Sequence, residues 1–450
     1  MKPRQPRRKA STMRSIQLTT AALAFGAASL VPGLARAGQD CAQLPNPVYV
    51  EGSTAIKPTL SQIGAFLAGQ SPAVTIVYYG SGSCNGVSAV INAASPAPTP
   101  LQTPAGSSNY FTYWTPTGTA VSCDVSPPDG GPGTAYLNIG LSDVFATTCA
   151  GMPNLPSNVT DYQGPVQAMT FVVPSGSSEY AISAEAAYIV FGFGGGHGVK
   201  PVAPWSTDLT MYQRGATSGT QSMIAAAISL PPASWFGNVE TSTGKMVTAI
   251  VAADVTGSAQ SSTIGIMAAE DVDAQRADIL KGTTMPGPDG GMVAVTDAPR
   301  ELAYKHFGQN CAYLPDSSKT LFDKRNVRDG HYAIWGPVHA LPVPTSNTTV
   351  ATNIATIVGL LTGTAQMSGI DLVTFEAQNG IIPQCAMAVK RTTEIGTMTP
   401  QSSPCGCYYE HIANQVAGAD TACTPCQNTT QCPAGYTCQT YNSIGYCEPS

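Results

Sequence analysis

Along most of the chain, apolar runs of strand length alternate with apolar positions at helical spacing. Val48-Tyr49-Val50 reads as a short buried strand, and Ile56, Leu60, Ile63, Phe66 and Leu67 then recur on one face of a helix. Val74 to Tyr79 is the next strand, rich in β-branched residues, and Val87, Val90 and Ile91 share a face of the helix after it. Strands alternating with helices pair in parallel, so the pattern predicts an α/β domain. From Ala93 to Pro132, Pro, Gly, Ser and Thr crowd out any period, which predicts a long irregular insertion clipped by Cys123. Ala135 to Leu141 and Gln167 to Val173 resume as strands, and Ala184 to Phe193 as a helix stopped by Gly194-Gly195-Gly196. Met223, Ile224, Ala227 and Ile228 form another helical face, Val247 to Val255 is a mixed apolar segment, and Asn353 to Thr362 is a late helix. After Pro400 the apolar period stops and cysteines take over, which predicts a module boundary.

The N-terminus sets the compartment. A basic stretch ending at Arg14 leads into an apolar run from Ile16 to Val31 and then Ala35-Arg36-Ala37, the pattern of a signal peptide cleaved after Ala37. The Arg7-Arg8 pair lacks the apolar residues that follow a twin-arginine pair, so a plain basic leader is the better reading. Cys41 has no lipid-attachment pattern before it, and no later apolar run reaches the roughly 18 residues of a membrane span. The expected product is periplasmic or secreted, with roughly 410 residues, room for two or three domains. Charged residues make up 11% of the chain and the net charge is -6, without a basic patch beyond the leader, which speaks against nucleic acid as a partner.

All 13 cysteines fall in the exported part, where disulfides are the default. Cys405, Cys407, Cys423, Cys426, Cys432, Cys438 and Cys447 crowd the tail. The odd total leaves one thiol over, and the odd number in the tail means that it either tethers to the body or carries that thiol. Spacing alone leaves the pairs open. Cys423-x-x-Cys426 also has zinc-site spacing, but the compartment favours disulfides.

Three strand-like runs end in small-residue turns that open helices: Gly52-Ser53-Thr54-Ala55, Gly80-Ser81-Gly82-Ser83-Cys84-Asn85-Gly86 and Thr217-Ser218-Gly219-Thr220. The first amides of a helix lack intrahelical acceptors and carry the positive end of its dipole, so such turns hold anions when small side chains let them approach. One such turn is a plain helix cap; three of them, with Arg214 four residues before Ser218, point to a shared anion site. Asp143, in Gly140-Leu141-Ser142-Asp143, repels an anion unless the anion brings a proton for it to accept. That property separates hydrogen phosphate from sulfate.

In this order and spacing, Gly52-Ser53-Thr54, Gly80 to Val87, Gly140 to Asp143 and Arg214 to Thr220 resemble the phosphate-binding proteins of ABC importers, type II periplasmic binding proteins. The segment Asp329 to Pro337 resembles that family's return to the hinge, and the likeness runs from Val48 to Ile395. It implies an α/β fold of two lobes with hinge-crossing strands: lobe I from 38–165 and 337–400, lobe II from 166–336, then a cysteine-rich module over 401–450. It further implies inorganic phosphate as ligand, an ABC permease as partner and no cofactor. Thr54, Ala55 and Ser83 become donors from one lobe, Asp143 the acceptor of the phosphate proton, and Arg214, Ser218, Gly219 and Thr220 the donors from the other. Many members carry an Asp two residues after the arginine; here Ala216 stands there, which leaves Arg214 unrestrained. The tail resembles small cysteine-rich repeats of secreted bacterial surface proteins, with protein contact or protease resistance as its expected work.

Enzyme motifs are missing: there is no Gly-x-Ser-x-Gly elbow and no phosphate loop with Gly-Lys-Ser/Thr, and His197, His306, His331, His339 and His411 show no metal-ligand spacing. The alternatives to phosphate capture are a secreted structural or adhesion protein that retains the binding fold, favoured by Ala216 and the tail, and a binder of another oxyanion.

Overall fold

A computed structural model of the chain describes residues 39–102, 111–125, 134–256, 259–286, 292–294 and 297–449. The expected signal peptide and its cleavage site lie outside these residues, as do 103–110 and 126–132 of the expected insertion.

β1 (Pro47–Gly52) and β2 (Thr75–Tyr79) pair in parallel, Val48 opposite Ile76, with α1 (Lys57–Ala68) crossing between them. Pro58 in the first turn of α1 sits where a missing N–H costs nothing, and Leu60, Ile63 and Leu67 bury the apolar face against Val48, Val50 and Ile76. α2 (Ser83–Ala93) follows β2.

The stretch expected to be irregular is partly regular. β3 (Phe111–Trp114) and β4 (Ala120–Asp124) form a hairpin beside β2. Phe111-Thr112-Tyr113-Trp114 is strand-prone by composition, but the Pro, Gly and Ser residues around it hide that over any longer window. The disulfide Cys41–Cys123 anchors the hairpin.

β5 (Ile139–Ser142) lies parallel to β1, shorter than the strand expected from Ala135. β6 (Tyr162–Val173) then runs for 12 residues, about 40 Å at ~3.3 Å per residue. Its C-terminal part carries the chain into a second set of elements: α3 (Ala184–Phe193), α4 (Gly219–Ala227), α5 (Thr243–Thr256), β7 (Gly265–Ala268), α6 (Ala269–Lys281) and the short α7 (Arg325–Arg328). β8 (Trp335–Pro342) brings the chain back, antiparallel to both β6 and β5. The described sheet has ten strands in the order β4-β3-β2-β1-β5-β8-β6-β7, with Gln39–Asp40 outside β4 and Arg300–Glu301 also on β6. β6 and β8 are buried along most of their length, and Gln167, Thr170 and His339 are buried with their apolar residues. The fold is thus α/β, with two strands crossing between lobes and a disulfide-rich C-terminal segment.

α8 (Thr348–Leu361) and α9 (Leu372–Gln378) follow β8. Beyond Pro400 the chain does not pass directly into a cysteine lattice: α10 (Gly406–Asn414) comes first, and its Tyr408, Tyr409, Ile412 and Ala413 belong to the main core. Phe322 N donates to Asn414 Oδ1 at 3.0 Å, and Arg328 Nη1 to Glu410 Oε1 at 2.9 Å. The two cysteines flanking Gly406 mask this helix in the sequence. Only then does the chain form the hairpin of β9 (Tyr436–Tyr441) and β10 (Ile444–Pro449).

Six disulfides settle the pairing: Cys41–Cys123, Cys84–Cys149, Cys385–Cys405, Cys407–Cys423, Cys426–Cys438 and Cys432–Cys447. Cys385–Cys405 is the tether between body and tail, and Cys311 is the free, exposed thiol. The sulfurs of Cys426, Cys432 and Cys447 lie within 4.8 Å of one another, but each is in a disulfide and none is left as a thiolate for zinc. No helix among the described residues is long and apolar enough to cross a membrane.

Candidate functional site

The three small-residue turns converge. Thr54 and Ala55 follow β1, Ser83 opens α2 after β2, and Asp143 follows β5, so all four sit beyond the carboxyl ends of parallel strands, where open α/β sheets place their ligands. Arg214, Ser218, Gly219 and Thr220 come from the loop into α4. All eight line one cleft of about 910 Å³.

Asp143 is the centre of one wall and is 4% exposed. Ser53 Oγ donates to its Oδ1, and Ser83 Oγ donates to its Oδ2 at 2.8 Å while accepting the Asp143 amide at 3.2 Å. Burial pushes the Asp143 carboxyl above the usual range, and the Ser53 and Ser83 hydroxyls, then the charges of His339 and Arg214, hold it down. Ser53, not among the expected site residues, thus holds Asp143 together with Ser83, while its neighbour Thr54, expected as an anion donor, is exposed on the cleft. The Ala55 amide, expected as an anion donor, is directed onto Ser53 Oγ at 3.2 Å. Sequence reading missed Ser53 because neighbours on a turn point to opposite sides, and which side is inward depends on the sheet.

The other wall presses close. Cys84 N, at the start of α2, donates to Thr217 O at 3.2 Å. Gly82 holds φ 103° there, and a Cβ on it would lie 3.2 Å from Thr217 O. A Cβ on Gly219 would lie 2.6 Å from Asp143 Oδ2, so only glycine lets the first turn of α4 meet that carboxylate. As the first residues of α4, Gly219 and Thr220 present amides without intrahelical acceptors.

Arg214 is half-buried, and its Nε is buried without a hydrogen-bond partner among the described residues. Burial lowers its pKa, while the charges of Asp271 and then Asp143 raise it. Asp271 stands in the first turn of α6 and lines the cleft, as do Glu270 and Lys57. Gln167 on β6 donates to Glu270 Oε1 at 2.5 Å, and burial drives the Glu270 carboxyl well above its ordinary range. The sequence held one signal for these acids, the Glu270-Asp271 pair opening a helix after an apolar strand, and that signal does not separate them from helix-dipole partners.

No family model and no curated protein matches the chain. Among solved structures it is similar to a putative phosphate ABC transporter substrate-binding protein with bound phosphate from Clostridium perfringens, at 12% identity over 75% of this chain and 99% of that one, with a TM-score of 0.43. It is also similar to an ABC-type phosphate transport receptor from Vibrio cholerae, at 10% identity, 74% and 99% coverage and a TM-score of 0.40. A third similar structure is the reduced OxyR regulatory domain from Pseudomonas aeruginosa, at 10% identity, 71% and 98% coverage and a TM-score of 0.32.

Proposed function

We propose that this chain is an exported solute-binding protein of the phosphate-binding family that captures inorganic phosphate in the cleft and delivers it to an ABC permease by hinge closure. The observation that carries the reading is the convergence on one cleft of a buried acceptor, Asp143, with Arg214, whose Nε has no hydrogen-bond partner among the described residues, and the first amides of α4. Arg214 and the amides of Gly219 and Thr220 neutralise the anion, with the hydroxyls of Thr54, Ser218 and Thr220 as further donors. Asp143 accepts the phosphate proton. Its two oxygens each receive one serine hydroxyl and keep a second lone pair for the ligand. β6 and β8, the two crossing strands, are the elements about which the walls open and close. The chain works by binding, not by catalysis.

Calorimetry with inorganic phosphate on the mature chain at neutral pH tests this. One-to-one binding is the expected result; no heat and no thermal shift at millimolar phosphate would overturn it. The contacts of Cys84 N with Thr217 O, and of Gly219 with Asp143, favour the second reading, a structural protein that keeps the fold with its site closed on itself.

A further inference from the structure

Arg214 shares the cleft with two carboxylates, Asp143 just after β5 and Asp271 in the first turn of α6, and both charges act on its guanidinium. Asp271 is partly buried on the wall of the same cleft. Thr243 Oγ1, from the start of α5, donates to its Oδ2 at 3.1 Å, and this is the one hydrogen bond its carboxylate receives among the described residues. The charged groups that act on Asp271 are Arg214 and Asp143 from neighbouring elements and Glu270 beside it on α6.

The charge count decides what such a site accepts. With both aspartates ionised, two carboxylates stand against the one guanidinium, and with Lys57 and Lys281 counted the acidic side chains lining the cleft still outnumber the cations, so a dianion entering it meets a net negative set of side chains. A singly charged anion with two O–H groups meets the same set with a donor for each carboxylate. Leaving either acceptor unpaired in a desolvated cleft is costly, more so when it is charged. We propose that Asp271 is a specificity-determining residue that accepts a second ligand proton, so that the cleft selects a doubly protonated, singly charged oxyanion such as dihydrogen phosphate. This rests on the reading of the cleft as a phosphate site. Burial pushes the Asp271 carboxyl up to about 6, with the Thr243 hydroxyl and Arg214 holding it down, so it is ionised and able to accept above neutral pH.

The test is the affinity for inorganic phosphate from about pH 7 to about pH 8.5, measured on the wild type and on Asp271→Asn, with phosphite as a probe whose monoanion has a single O–H. If only the doubly protonated form binds, affinity for total phosphate falls by up to about tenfold per pH unit above the second ionisation of phosphate, the slope for one linked proton. In Asp271→Asn the amide donates to the ligand instead; the slope should flatten to less than about threefold per unit, and the preference for phosphate over phosphite should narrow. Equal slopes in the two proteins, or a wild-type affinity that rises with pH, would overturn the assignment while leaving phosphate capture intact. No binding of phosphate at any pH removes both readings. If circular dichroism shows that Asp271→Asn does not fold, the wild-type slope decides alone, and a flat slope overturns the proposal.

Discussion

The two walls of the cleft are built on opposite terms. On the first, Ser53, Ser83 and Asp143 are 0%, 1% and 4% exposed, and their polar groups are tied to one another before any ligand arrives. On the second, Arg214 and Ser218 are only partly buried, the Arg214 Nε has no hydrogen-bond partner among the described residues, and the first amides of α4 have no helical acceptor. A fixed acceptor costs nothing to orient when the ligand binds, and free donors keep their interaction energy for it. If the cleft captures phosphate as proposed, the first wall contributes mainly to selectivity through Asp143, and the second supplies affinity through Arg214 and the α4 amides, with Asp271 as its own selective group.

The largest effect is expected where the free wall loses its charge. Arg214→Ala should weaken phosphate binding by roughly a hundredfold, since charged hydrogen bonds contribute about 1.5–3 kcal/mol, while the melting temperature moves little. A loss of stability as large as the loss of affinity would erase the distinction between the walls. Asp143→Asn should cost roughly tenfold in phosphate affinity and narrow the phosphate-to-sulfate ratio by about as much, read by competition calorimetry. If that ratio is unchanged, Asp143 is a turn residue and the first wall has no part in selection. Ser53→Ala, which removes a donor from a buried carboxylate, should weaken binding about fivefold. Thr54→Ala, one residue along on the exposed side, should change affinity by less than about threefold. The reverse order would return the role to Thr54.

A smaller effect lies in stability. The folded Asp143 carboxyl titrates above its unfolded value, so between the two values the folded chain holds a proton that the unfolded chain has released. Stability contributed by this group is therefore present at acid pH and lost as pH rises through the folded value. Thermal melts should show the wild type losing ground to Asp143→Asn as pH rises from about 4. A constant difference between the two proteins would mean that Asp143 titrates alike in both states.

Local chemistry was open to direct reading. The alternation of Val48–Val50 with the Ile56–Leu67 face, and of Val74–Tyr79 with the Val87–Ile91 face, lies within single turns and strands, so period alone identifies β1, α1, β2 and α2. The small-residue turns and Arg214 were legible for the same reason, since a helix start recruits its donors from adjacent residues. The hairpin of β3 and β4 and the helix α10 stayed hidden because their apolar runs are short and sit among Pro, Gly, Ser or Cys.

Relations between distant segments were decided by the tertiary structure. Which cysteine tethers the tail, whether Ser53 or Thr54 faces Asp143, and which acids share the cleft with Arg214 all depend on strand order and on where α4 and α6 line the cleft. A side chain's type is written in the sequence. The partner it meets is set by the packing of segments far apart in the chain, because burial rewards the whole arrangement of strands and helices rather than any one contact within it.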